Sequence, residues 1–212
     1  MGCLAETRWY IVTCVRMQAE FMLIKKQHFT IDPANGWLDS VEHICSPNCD
    51  DRPGNIEPDL IVIHGISLPP GEFGGTWVAA LFTNMLPSTE HEYFATIGHL
   101  RVSSHVLIDR KGALTQFVPF HMRAWHAGDS THCGRTACND FSIGIELEGT
   151  DDSPYEDAQY FVLGHLIRAL RRTYPSLHAA DVVGHCDIAP GRKTDPGPAF
   201  DWWRLRKLLI AE

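Results

Sequence analysis

Asp59-Leu-Ile-Val-Ile-His64 is an unbroken apolar run closed by a histidine, and Phe141-Ser-Ile-Gly-Ile-Glu-Leu-Glu148 is a second strand-length segment in which apolar and polar residues alternate. A short continuous apolar run is the pattern of a strand buried on both faces at the centre of a sheet. The alternating run reads as a further strand, with one face apolar. Outward from these two, Pro69-Pro-Gly71 and Gly74-Gly75 mark a loop, and Thr76 stands where it would cap a short helix through Leu81 and Phe82. Val102-Ser-Ser-His-Val-Leu-Ile-Asp109 and Leu114-Thr-Gln-Phe-Val118 flank the turn Asp109-Arg-Lys-Gly112, which predicts a hairpin. Ser153-Pro-Tyr-Glu156 matches a capping box with proline at the first helical position. Tyr160, Leu163, Ile167, Leu170 and Tyr174 then recur three and four apart, the apolar face of a helix that Pro175 ends. Val182-Val183 reads as a short strand leading to Gly184-His185. Asp201 opens a last helix with Phe200 and Leu205 as its hydrophobic staple. Strands alternating with helices around one hairpin imply an α/β fold, a single domain with a central mixed β-sheet flanked by α-helices.

The chain of 212 residues needs only one core. A formal net charge of -8, with no Lys/Arg-rich run, disfavours a nucleic-acid partner. The apolar stretch from Trp9 to Val15 is too short to span a membrane and lacks a cleavage signal, so no membrane association is expected. Seven cysteines, an odd number without a C-x-x-C pair, fit reduced thiols and a cytoplasmic location better than a secreted disulfide framework. Residues 1–30 carry no turn punctuation and no clear period. They read as an N-terminal extension, either loosely attached or a start placed too far upstream, ahead of a domain over residues 31–212.

Several motif classes are excluded. His91-Glu92 is followed by Ala95, which rules out H-E-x-x-H, and Gly65-Ile-Ser67-Leu-Pro69 lacks the second glycine of a nucleophile elbow. No G-x-G-x-x-G or phosphate-binding glycine loop occurs. Two of the twelve histidines, however, sit at strand ends: His64, and His185 after Val182-Val183. Open α/β sheets present their sites just beyond strand ends. Two histidines and one carboxylate suit a three-ligand zinc site with a fourth position open. On spacing alone, two histidines simply hydrogen-bonded at the margin of the core is the more ordinary reading, and it stays open.

His64-Gly-Ile-Ser-Leu-Pro-Pro-Gly-Glu-Phe-Gly-Gly75, Arg123-Ala-Trp-His-Ala-Gly128, Cys138-Asn-Asp-Phe-Ser-Ile-Gly-Ile-Glu-Leu-Glu-Gly-Thr150, Gly184-His-Cys-Asp-Ile-Ala-Pro190 and Arg192-Lys-Thr-Asp-Pro-Gly197 occur in that order. Together, from about Gly36 to Trp203, they resemble the cytoplasmic 1,6-anhydro-N-acetylmuramyl-L-alanine amidases, the AmpD family, within the larger amidase and peptidoglycan-recognition superfamily. The resemblance implies hydrolysis of the bond between N-acetylmuramic acid and L-alanine, with small anhydro-muropeptides from wall turnover as substrate. It implies Zn2+ held by His64, His185 and Asp195, Glu146 as general base, and Lys193 as the cation that stabilises the oxyanion. Lys193 lies two residues from Asp195, so an extended segment ahead of Pro196 would turn both to one side. His126 and Arg101 are candidate substrate contacts, Glu148 a candidate for orienting a ligand from behind, and His105 a satisfied core histidine. Gly65 departs from the His-Asn pair usual in such sequences, removing a side chain near the substrate. Two rivals follow from the same superfamily: a peptidoglycan-binding module without catalysis, which the full ligand set disfavours, and a wall-lytic amidase acting on intact peptidoglycan.

Overall fold

The computed structural model describes residues 28–210, so the extension expected over residues 1–30 lies, as far as residue 27, outside the described residues. In chain order the elements are β1 (Glu42–His43), β2 (Cys49–Asp50), β3 (Leu60–Ile66), α1 (Trp77–Phe82), α2 (Glu92–Ile97), β4 (Val106–Ile108), β5 (Leu114–Gln116), β6 (Arg123–Ala124), β7 (Thr131–His132), β8 (Arg135–Thr136), β9 (Ser142–Glu148), α3 (Asp157–Thr173), β10 (Asp181–Gly184), α4 (His185–Ile188) and α5 (Trp202–Ile210). Six strands form one sheet in the order β1-β5-β4-β9-β3-β10. β10, β3, β9 and β4 run parallel, β4 and β5 form the antiparallel hairpin, and β1 runs parallel to β5. The fold is thus a mixed α/β domain, and the sequence runs that suggested strands β3 and β9 lie at its centre.

Every residue of β9 is buried, although its sequence alternates. Ile143, Ile145 and Leu147 face α3 and pack with Leu163, Leu166, Ile167 and Leu170 in the main core, joined by Ile61 and Ile63 of β3. Phe29 and Ile31 are buried in this same cluster. Truncating any one of the fully buried leucines to alanine would cost about 2–5 kcal/mol. Because side chains alternate across a strand, Ser142, Gly144, Glu146 and Glu148 fall on the opposite face. A second cluster around Phe82, Phe94 and Phe117 lies on that side.

Two boundaries differ most from the sequence reading, while smaller shifts end β5 at Gln116 and carry β3 on to Ile66. The long helix begins at Asp157, not at the Ser153-Pro154 box: Glu156 precedes it, and the Gln159 side chain accepts the Glu156 N–H at 3.0 Å. Tyr155 is buried with its hydroxyl donating to Pro196 O at 3.0 Å, so the chain must stay extended through it before the helix can start. The strand expected from Val102 is confined to Val106–Ile108. Ahead of it, the Ser103 hydroxyl donates to Asn48 O and the Ser104 hydroxyl to Gly144 O, side-chain bonds that replace a regular ladder. The last helix follows its expected signals: Asp201 Oδ1 accepts the Arg204 N–H at 2.9 Å, and Phe200 and Leu205 are both buried.

Candidate metal centre

Register places the chemistry. In the parallel ladder His64 of β3 pairs with Glu146 of β9, and Gly184 of β10 pairs with Ile63. His185 follows Gly184 and so arrives at the level of His64. Three neighbouring strands therefore deliver two histidines and a carboxylate to one height at the C-terminal end of the sheet, with strands about 4.8 Å apart. The loop after α4 brings in Asp195, whose carbonyl accepts the Cys186 N–H at 2.9 Å.

Three donor atoms converge there. His64 Nδ1 and His185 Nδ1 are 3.0 Å apart, Asp195 Oδ2 is 3.2 Å from the first and 3.1 Å from the second, and both histidines are buried. The outer nitrogens decide the protonation. His185 Nε2 faces Ala127 O at 3.1 Å, a carbonyl that can only accept, so Nε2 carries the proton and Nδ1 of the neutral ring is bare. For His64 the chain of reasoning is longer. The Ser142 hydroxyl donates to Cys138 O at 2.5 Å and so accepts from His126 Nε2 at 3.2 Å. His126 Nδ1 is then bare and accepts from His64 Nε2 at 2.9 Å, which leaves His64 Nδ1 bare as well. Burial is the main force keeping His64 and His126 neutral: it pushes His64 down to about 4 and, with His64, His105 and His185 nearby, holds His126 well below the ordinary histidine value. Two bare nitrogens and a carboxylate within hydrogen-bond distance of each other repel unless a cation lies between them. The outward N–H bonds are the usual way a ligating histidine is oriented, so the residues present fit a divalent metal with N,N,O donors.

Glu146 is buried beside this triangle, with Oε1 4.0 Å from His64 Nδ1 and Oε2 without a hydrogen-bond partner among the described residues. Burial, reinforced by Asp195 and offset in part by Lys193, raises its pKa well above the usual carboxylate value. Glu148 shares the strand face but turns elsewhere. Its two oxygens accept the backbone N–H groups of Gly74 and Arg110, anchoring the loop after β3 to the β4–β5 turn, and no ligand histidine is among its hydrogen-bond partners. An open cavity of about 540 Å³ is lined by His64, Glu146, His185, Lys193 and Asp195, together with Tyr93, Ile97 and Leu100. His126 also borders it, with its Nδ1 engaged by His64. Arg101 is not in the lining; its guanidinium donates to His99 O and Leu100 O on the surface. His105 is a satisfied core histidine: Nδ1 accepts the Gly144 N–H at 3.0 Å and Nε2 lies 3.1 Å from Met122 O.

Two close approaches shape the site. A Cβ at Gly144 would overlap the His126 ring, so glycine there is what lets His126 reach His64. A Cβ at Gly65 would meet the Tyr155 hydroxyl, which fills the space that a larger side chain would take and ties down Pro196 beside Asp195. The sequence reading missed Tyr155 and the wall of α2. Helix α2 buries a single residue, Phe94, and its N-cap is His91, whose ring accepts the Tyr93 N–H at 3.0 Å, so neither periodicity nor a familiar cap announced it.

The N-acetylmuramoyl-L-alanine amidase family profile matches residues 54–198. The 1,6-anhydro-N-acetylmuramyl-L-alanine amidase AmpD of Escherichia coli K12 is 58% identical over 177 residues, covering 84% of this chain and 96% of that protein. A crystal structure of a selenomethionine AmpD derivative superposes with a TM-score of 0.82 at 55% identity, over 84% of this chain and 98% of that one. The amidase AmiD of Escherichia coli, solved with anhydro-N-acetylmuramic acid-L-Ala-D-gamma-Glu-L-Lys as substrate, gives 0.52 at 30% identity over 85% and 65% of the two chains. The match spans the strands that carry the donor triangle, and by it this chain belongs to the N-acetylmuramoyl-L-alanine amidase family.

Proposed function

We propose that the chain is a zinc-dependent amidase that hydrolyses the bond between the lactyl group of 1,6-anhydro-N-acetylmuramic acid and L-alanine in soluble muropeptides, a step of peptidoglycan recycling in the cytoplasm. The observation that carries the reading is the triangle of two bare Nδ1 atoms and Asp195 Oδ2 at 3.0–3.2 Å, with the Glu146 carboxyl beside it. His64, His185 and Asp195 would hold the ion. Zinc there would supply the Lewis acidity that polarises an amide carbonyl and acidifies water.

The other roles fall to the chain itself. Glu146, made more basic by burial, deprotonates the attacking water and returns that proton to the departing alanine nitrogen. Lys193, on the same cavity, offsets the charge that develops on the carbonyl oxygen. The C–N bond breaks, leaving a lactyl carboxylate and a free L-alanine amine. The family relationship and the AmiD complex support an anhydro-muropeptide as substrate. Free thiols at Cys45, Cys49, Cys133, Cys138 and Cys186 support a reducing compartment.

The test is to offer the purified protein a soluble anhydro-muropeptide and, separately, purified sacculi, before and after chelation and zinc repletion. Release of peptide from the soluble substrate alone, lost on chelation and restored by zinc, is the expected result. Equal or faster release from sacculi would make the chain a wall-lytic amidase, and binding without release would make it a recognition module.

A further inference from the structure

We propose that His132, Cys133 and Asp181 form a second metal site, for a zinc-like divalent cation, on the surface beside the edge strand β10. The hairpin of β7 and β8 closes with His132 paired to Arg135, so Cys133 and Gly134 are its two loop residues, at φ of 48° and 79°. Two-residue turns with both φ positive favour Asn, Asp or Gly. Cysteine at the first of these positions is not explained by the turn. Its Sγ lies 3.5 Å from His132 Nε2, and Asp181 Oδ2 lies 3.1 Å from that same nitrogen. All three atoms fall within 4.8 Å of one another.

Without a metal, an Nε2–H serves the Asp181 carboxylate and the Cys133 sulfur is a second, weaker acceptor on its edge. With Nε2 and the thiol both deprotonated, the same three atoms turn nitrogen, sulfur and oxygen lone pairs toward one point, which a cation can take. Zinc bonds of about 2.0–2.1 Å to nitrogen or oxygen and about 2.3 Å to sulfur, set tetrahedrally, separate donors by roughly 3.3–3.6 Å. The S–N spacing meets that range, and the N–O spacing reaches it by a small rotation of the exposed Asp181 carboxylate. Arg135 does not compete for Asp181, since it pairs with Asp59 at 2.7 Å and its guanidinium lies over Phe141 at 3.6 Å. An N,S,O donor set selects borderline metals of the zinc type over magnesium or calcium, which want oxygen alone. The thiolate and carboxylate balance the charge of a divalent ion, and solvent takes the fourth position. A filled site would tie the β7–β8 hairpin to the first residue of β10, covering one end of a strand that is paired on a single side.

Cobalt(II) titration of the metal-free full chain in a phosphine reductant tests this, because the main centre offers N,N,O donors and only the second site offers sulfur. Expected are two equivalents bound, one of them with the near-ultraviolet charge-transfer absorption of a thiolate–cobalt bond. Cys133→Ser should abolish that absorption and one equivalent while amidase activity is retained, and Asp181→Asn should weaken the same equivalent. Cys186→Ser, beside the main centre, should change neither. A single equivalent without thiolate absorption overturns the proposal, as does an absorption that survives Cys133→Ser or disappears in Cys186→Ser.

Discussion

Replacing Glu146 and Glu148 by glutamine, one at a time, separates two carboxylates that share a strand face but have different surroundings. Two residues along β9 set their backbones roughly 6–7 Å apart. Glu146 Oε1 is 4.0 Å from His64 Nδ1, whereas the Glu148 oxygens are occupied by the N–H groups of Gly74 and Arg110. A general base must reach the proton it takes within about 2.6–3.2 Å, or through one water, which only Glu146 is placed to do. Glu146→Gln should therefore lower kcat by about 10²–10⁴, or roughly 3–5 kcal/mol of barrier, with metal content unchanged. Glu148→Gln should leave kcat within about tenfold but cost about 1–3 kcal/mol of stability, since its amide nitrogen would turn a donor toward a backbone N–H. A further consequence concerns pH. Burial raises the Glu146 pKa, so the folded chain binds this proton more tightly than the unfolded one, and stability falls as pH rises above the ordinary value of 4.5 toward the folded pKa. Glutamine removes that penalty, and the metal-free Glu146→Gln protein should melt at or above the parent temperature at pH 7. The assay is release of peptide amine under saturating substrate, beside metal analysis and thermal unfolding of each variant. A Glu146→Gln enzyme with near-normal kcat, next to an inactive, fully metallated Glu148→Gln enzyme, would reverse the assignment.

Lys193→Ala should keep the metal and lose about 10²–10³ in kcat, about 3–4 kcal/mol; a rise confined to KM would make Lys193 a substrate-binding residue instead. Asp195→Ala should lose most of the zinc found in the parent, because it leaves two histidines to hold the ion, and full occupancy by elemental analysis would refute the ligand assignment. His126→Ala should weaken zinc binding by about 10–100-fold in chelator competition, as should Gly144→Ala, whose methyl displaces the His126 ring; parental affinity in both would show that His126 does not orient His64. His105, pushed down to about 3 by burial and by Arg52, has Nδ1 against the Gly144 N–H and cannot accept a proton without breaking that bond. Its contribution is present above the unfolded value near 6.5 and lost as pH falls toward about 3, at about 1.4 kcal/mol per unit. Urea titrations at pH 8, 6 and 4 should show this fall, shallower in His105→Gln, and an unchanged slope would remove His105 from the account.

What the sequence made legible was what apolar pattern controls. The run at Ile61–Ile63 and the Ile143-Ile145-Leu147 alternation named the two central strands, and the spacing of Leu163, Ile167 and Leu170 named the face of α3. The start of that helix was misread because a serine-proline signal was present while the competing demand, a buried Tyr155 reaching Pro196, comes from forty residues further along the chain. At the site, histidine spacing left simple core burial the more ordinary reading beside metal binding, and the family resemblance supplied the proposed ligand set. The features that make the ligands bare, Ala127 O and Cys138 O, are backbone carbonyls and leave no mark in a sequence. Arg101 was singled out by charge alone, and its exposed guanidinium rests on its own loop.

The polar face of β9 explains why a fully buried strand keeps an alternating sequence. Burying a hydroxyl or a carboxylate costs several kcal/mol unless it is hydrogen-bonded, so four such positions in a row would be expected to read as isoleucine or valine. Each instead has a task that an apolar residue could not perform. Ser142 ends the chain of hydrogen bonds that sets the His126 ring, Gly144 clears the space for that ring, and Glu148 holds the Gly74 loop. These positions are satisfied or empty. Glu146 is the exception, with a buried oxygen that no group among the described residues meets. A buried polar atom left unpaired in an otherwise satisfied network calls for a partner that arrives from outside it. Under the proposed function its position one strand over from His64 makes that partner the reacting water, and a one-residue slip of β9 would turn the Ser142, Glu146 and Glu148 side chains into the apolar core and empty the site of its proposed base.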